Sequence, residues 1–211
     1  MNTIYDLPVV YWTYRKEEFI MYSGTQKILY GTLCLIACCL FYLIWWSITF
    51  HPARTFPSAP KYLLFACTLA AGVGGIVILV TGMQELPAVR GKLSNLTLTV
   101  IGIAAYIVLL IVTNRLLHRQ VTTELLLIVG WTILELCVQN SLYRSGGPAL
   151  SLTLVYMIIT IAVAVIGMLC YLSYYNLEAR RAFYTGMVPL ILFAVVMALQ
   201  LPLLCGFLAN K

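Results

Sequence analysis

The sequence predicts an all-α, polytopic integral membrane protein: six transmembrane helices in an antiparallel bundle, preceded by an N-terminal interfacial helix. Three observations carry this. The 211 residues are 62% hydrophobic and 9% charged, against roughly 45–50% and about 25% in soluble domains. Mean hydropathy is +0.96. Six apolar runs reach the length of about 20 residues that a bilayer-crossing helix needs. So few polar groups cannot cover a water-exposed surface, which excludes a soluble enzyme, a disordered chain and a disulfide scaffold.

Residues 1–27 form the N-terminal segment. They carry Asp6, Arg15, Lys16, Glu17, Glu18 and Lys27 but no apolar signal-peptide core, so the first span is expected to act as its own insertion signal. Residues 9–24 mix aromatic and charged side chains, which is too polar to span and suits a helix lying in the interface. The transmembrane domain follows over residues 28–211. Its spans are expected at Ile28–Phe50, Tyr62–Gly82, Ser94–Asn114, Thr122–Tyr143, Leu150–Tyr174 and Met187–Leu208. The joints between them are short and carry breakers such as Pro52, Pro60, Pro87 and Gly146-Gly147-Pro148. Consecutive spans are therefore antiparallel neighbours. Trp45, Trp46 and Phe50 end the first span, and Tyr171, Tyr174 and Tyr175 end the fifth. Both groups are expected in the interfacial aromatic belt.

The net charge of +6 comes from basic residues scattered between apolar runs. That distribution suits lipid headgroups, not nucleic acid. Seven basic residues fall on the side of the termini and six on the other, so the positive-inside rule does not choose an orientation. The plasma membrane is the expected setting. All seven cysteines lie within apolar runs, with no CxxC and no Cys/His cluster, and read as small hydrophobes. No cofactor or metal is expected. The two histidines, His51 and His118, fall at span ends and not as a pair within a helix. Asn95-Leu96-Thr97 is formally a glycosylation sequon, but it opens a span and is expected to stay unmodified.

Polar residues inside spans are the informative ones, because burying them costs free energy unless they are paired. Glu135 sits near the middle of the fourth span, with Trp131 and Gln139 one helical turn to either side. An ionised carboxylate at that depth costs about 2.5–3.5 kcal/mol, so it must face protein or water, or be protonated. Its alternative role is structural: a hydrogen bond to a neighbouring helix that fixes packing. The third span carries Asn95, Thr99, Gly102, Tyr106 and Thr113 on one stripe, and the fifth carries Thr153, Tyr156, Thr160, Gly167 and Tyr171 on another. Convergence of these faces would line a partly polar cavity between the third, fourth and fifth spans. Its ligand-binding residues would be Glu135, Gln139, Trp131, Tyr106, Tyr156 and Thr160. A second polar group, Glu124 with His118, Arg115 and Arg119, is expected at the interface.

No metalloprotease, serine-hydrolase, intramembrane aspartyl-protease or nucleotide-binding motif is present, and Asp6 is the sole aspartate, so the balance is against an enzyme. The six-span layout resembles vitamin-binding transporter subunits and the membrane sensor regions of histidine kinases, a likeness of architecture that implies no function. The reading that follows is a membrane protein that binds or transports a small solute. One alternative is a non-catalytic sensor, assembly factor or subunit, with a partner or second copy covering the small-residue faces of the first two spans. Another is a lipid-modifying enzyme built on the Glu124 group. The lipid bilayer is a partner in every case.

Overall fold

Lipid offers no hydrogen bonds to the backbone, so an apolar chain that enters a bilayer satisfies its peptide groups within helices. The computed structural model describes the backbone of residues 7–51, 57–117, 122–174 and 176–209. Side chains are described within these ranges from residue 22 onward, except at 116–117, 122–124 and 207. Six helices result: α1 (Leu7–Thr49), α2 (Ser58–Glu85), α3 (Asn95–Leu117), α4 (Thr122–Arg144), α5 (Leu150–Tyr174) and α6 (Ala179–Ala209). All six are long and apolar enough to cross a membrane, and the chain is an integral, multi-pass membrane protein. Helix α1 runs unbroken through residues 9–24 into the first span. Helix α6 begins at Ala179, eight residues before the expected span, so part of the expected fifth joint is helical.

The α1–α2 hairpin is the tightest contact in the bundle. Gly24, Gly31 and Cys38 recur every seven residues on α1, and Thr68, Gly75 and Gly82 do so on α2. A seven-residue repeat keeps one seam facing a partner over several turns. The seams meet antiparallel. A Cβ on Gly24 would lie 3.0 Å from the Gly82 carbonyl oxygen, one on Gly31 would lie 3.0 Å from that of Gly75, and Cys38 Sγ donates to the Thr68 carbonyl at 3.3 Å. Lys27 and Ser23 close the end of the hairpin by pairing with Glu85. Gly24, Gly31 and Cys38 thus face Gly82, Gly75 and Thr68 inside the hairpin, whereas a Cβ at Gly74 meets nothing within 4 Å, so the small-residue faces expected to meet a partner are in part used within the chain.

Trp46 is also not the belt residue expected. It is 8% exposed, its indole Nε1 donates to the Phe183 carbonyl at 3.2 Å, and its ring occupies the space beside Gly186. The early start of α6 supplies both contacts. Trp45 keeps an outer position, with ring contacts to Phe50 and Phe65.

Helix α4 ends in a Schellman turn. Gly147 N–H donates to the Leu142 carbonyl at 3.1 Å, Gly146 N–H to that of Tyr143 at 3.1 Å, and Gly146 adopts φ +89°. Glycine meets that left-handed requirement without a Cβ penalty. The freed Arg144 carbonyl accepts from Val89 N–H at 2.8 Å and Arg90 N–H at 2.9 Å, which docks the α2–α3 joint on the end of α4. Beside it, Asn140 Nδ2 donates to the Leu93 carbonyl at 3.1 Å and to Asn95 Oδ1 at 2.7 Å, while Asn95 Nδ2 donates to Ser141 Oγ at 2.7 Å. The sequon amide is therefore engaged inside the protein. Asn140→Leu is expected to lower stability by about 1–2 kcal/mol. Thermal unfolding in detergent checks this, and an unchanged midpoint would show that the clamp contributes nothing.

Candidate functional site

Helix α4 presents two faces. On one, the α3 stripe packs directly: Thr99 Oγ1 lies 3.8 Å from Cys137 Sγ, and Ile133 fills the space that a Cβ at Gly102 would need. With the Asn95–Ser141 bond, these contacts run antiparallel over the first two turns of α3, where its small and polar residues serve close approach to α4. Tyr106 lies further along α3, is half-buried, and is not brought to the site.

The opposite face of α4 carries Trp131, Glu135, Gln139 and Leu142 toward α5 and α6. Glu135 is 1% exposed, and its Oε2 accepts from Gln200 Nε2 on α6 at 2.6 Å. Among the described residues no Lys, Arg or His pairs with Glu135; the ion pair found is Lys27–Glu85, at the end of the α1–α2 hairpin. Cys39 on α1 lies within electrostatic reach of the carboxyl. One turn away, Gln139 is 4% exposed; its Nε2 donates to Thr160 Oγ1 on α5 at 2.8 Å, and its Oε1 is buried without a partner. One turn in the other direction, the Trp131 ring stacks on Phe193 with centroids 4.0 Å apart and planes 16° apart, and its Nε1 is also buried without a partner.

Helix α6 carries Pro202 in its interior, two residues after Gln200. Proline has no N–H and clashes with the carbonyl four residues earlier, which loosens the helix there. The neighbouring Leu199 carbonyl accepts from Tyr156 Oη on α5 at 2.9 Å. A tyrosine from the adjacent helix thus supports the backbone where the helical ladder is interrupted.

Between α4, α5 and α6 lies a half-open pocket of about 430 Å³, within the range of about 300–1,000 Å³ typical of small-molecule sites. Gln139 and Gln200 form its polar floor, and Leu142, Leu152, Leu203 and Leu204 its apolar walls. Gly147 and Pro148 of the α4–α5 turn and Gly206 near the end of α6 also line it, on the side of the chain termini. By helix rise, Gln139 lies roughly 7–8 Å below Arg144, the last residue of α4. On the far side of Glu135, the Trp131–Phe193 stack closes the interior, backed by Ile128, Val163 and the contact of Gly167 with Pro189.

Of the expected residues, Gln139 and Tyr156 line this α4–α5–α6 pocket, Glu135 and Thr160 stand behind it bonded to Gln200 and Gln139, and Trp131 lies one turn beyond Glu135. Helix α6 takes part through Gln200, and the described start of α3 packs on the other face of α4. Sequence reasoning missed Gln200. Its signal was the one that singled out Glu135: a polar side chain inside an otherwise apolar span, here two residues before a helix-interrupting proline. Of the second expected group, His118 and Arg119 and the side chain of Glu124 lie outside the described residues, and Arg115 is exposed. No family model matches the chain, and neither a curated protein nor a solved structure matches it.

Proposed function

We propose that this protein binds a small molecule in the α4–α6 pocket and couples its occupancy to the protonation of Glu135, as a transporter or its binding subunit. One observation carries the reading. Gln200 lines the pocket and at the same time donates to a fully buried carboxyl that has no cationic partner among the described residues. An ionised Glu135 needs that donor, because an unpaired charge at bilayer depth is costly. A protonated Glu135 does not, and Gln200 is then free to turn its amide toward the pocket. Protonation and the polarity of the pocket floor are linked through this one side chain. The Trp131–Phe193 stack makes access one-sided, as a carrier requires in each of its states.

The test uses the purified protein in vesicles, screened with radiolabelled solutes under an imposed pH gradient. Glu135→Gln keeps a group that can pair with Gln200 and removes the titration. Gradient-driven uptake is expected to fall roughly tenfold or more, equivalent to about 1.4 kcal/mol, with unchanged elution and thermal midpoint. Undiminished gradient-driven uptake by the variant would refute proton coupling through Glu135.

A further inference from the structure

The polar lining of the pocket has a chemical sense. Each donor named there is aimed at a protein acceptor: Gln139 Nε2 at Thr160, Gln200 Nε2 at Glu135, Tyr156 Oη at the Leu199 carbonyl and Thr153 Oγ1 at the Ala149 carbonyl. The acceptor Gln139 Oε1 is buried and unpaired. A buried acceptor without a donor costs free energy, so the pocket recognises a molecule that brings a hydrogen-bond donor to its floor. Among the described residues, none lining the pocket is charged, which argues against an ionic solute as cargo. The walls are Leu142, Leu152, Leu203 and Leu204. At the rim, Leu152 is 37% exposed and Pro202 is exposed on the outer surface of the bundle. That surface faces lipid in a membrane-spanning bundle, so the rim admits an apolar body sideways between α5 and α6.

We infer that the ligand is a neutral amphiphile from the lipid phase, an apolar chain or ring system ending in a hydroxyl-type donor that bonds to Gln139 Oε1. This rests on the binding reading above and narrows its ligand class. The apolar body occupies the leucine walls, where burial contributes about 25 cal/mol per Å². The donor end reaches the floor, beside the buried and unpaired Gln139 Oε1. Thr160 fixes the amide orientation by holding the nitrogen, which leaves the oxygen to the ligand.

The experiment photolabels the purified full chain in phosphatidylcholine vesicles with a diazirine-bearing sixteen-carbon alcohol and, separately, with the methyl ether of the same chain, and maps adducts by mass spectrometry. The alcohol is expected to label the segments around Leu152 and Leu203 about three- to tenfold more than the ether, the span of one neutral hydrogen bond. Gln139→Leu is expected to abolish that preference. Leu152→Trp, a change on the lipid-facing rim, is expected to block labelling of the pocket with folding intact, and it decides the matter if Gln139→Leu fails to fold. Excess hexadecanol is expected to compete and excess 1-butanol is not. Equal labelling of the pocket by alcohol and ether, undiminished labelling of the Leu152→Trp variant, or competition by 1-butanol as strong as by hexadecanol would each overturn the inference. Labelling needs no proton gradient, so loss of coupling in Glu135→Gln and loss of alcohol preference are separate results.

Discussion

Gln200→Leu is expected to destabilise the folded protein by about 2–3 kcal/mol, while Glu135→Leu combined with Gln200→Leu restores most of that loss. The single change removes the donor to a carboxyl that is 1% exposed. Val138 on the same helix and Met197 on α6 are apolar and fully buried and offer no donor in its place. Removing both partners replaces a buried polar contact by two leucines of similar volume, next to the existing cluster of Leu142, Val196 and Leu204. The measurement is a double-mutant cycle on thermal or denaturant unfolding in detergent. A purely additive cycle would show that Glu135 and Gln200 are not energetically linked, and the proposed coupling would lose its physical basis. The double variant is expected to be inactive in uptake although stable, which separates the carboxyl's role in function from its role in folding.

Leucine at Gly31 is expected to cost about 3 kcal/mol or more, the upper end for overpacking, and to separate α1 from α2. The first atom of any side chain there would lie 2.6 Å from Leu79 Cγ, 2.9 Å from Leu79 N and 3.0 Å from the Gly75 carbonyl oxygen. Two of those three are backbone atoms of a neighbouring helix and cannot rotate away. Gly74→Leu is the internal control: it lies one residue from Gly75, in the same apolar helix, and a Cβ there meets nothing within 4 Å. Equal stability of the Gly31 and Gly74 variants would show that the hairpin is not held by this seam.

How far the fold was legible follows from which physics acts on each residue. Span number and placement depend on transfer of apolar side chains into lipid, a property of each segment alone, so runs such as Leu150–Tyr174 could be read directly. The start of α6 at Ala179 could not. Arg180 and Arg181 look like joint residues, yet they sit on a helix whose Phe183 and Gly186 pack on Trp46, a contact made by chain 137 residues away. The same division holds in the site. Glu135, Gln139 and Trp131 share a stripe because helical periodicity is local, and Gln139 and Tyr156 line one pocket while Glu135 and Thr160 bond to residues at its floor. Which helix opposes them was not legible. The small faces of α3 and α5 look equivalent in sequence, and only the packing of Ile133 over Gly102 and Cys137 beside Thr99 shows that α3 is spent on contact. Gln200 was readable as an anomaly but not as a partner, since its meeting with Glu135, 65 residues away in the chain, is set by how α6 packs against α4.

The two-faced character of α4 has a consequence for how the protein is made. Glu135, Gln139, Asn140 and Ser141 leave this segment without a lipid-compatible side at its C-terminal half, whereas its neighbours each have one. Released singly from the insertion machinery, α4 would place those groups among acyl chains. Its polar surface is masked on one flank by α3 and on the other by α5 and α6, so it is suited to leave the machinery only in their company. Membrane entry of the second half of this chain is therefore coupled to its assembly, and the residues proposed to serve the ligand are also those that make the helices depend on one another at birth.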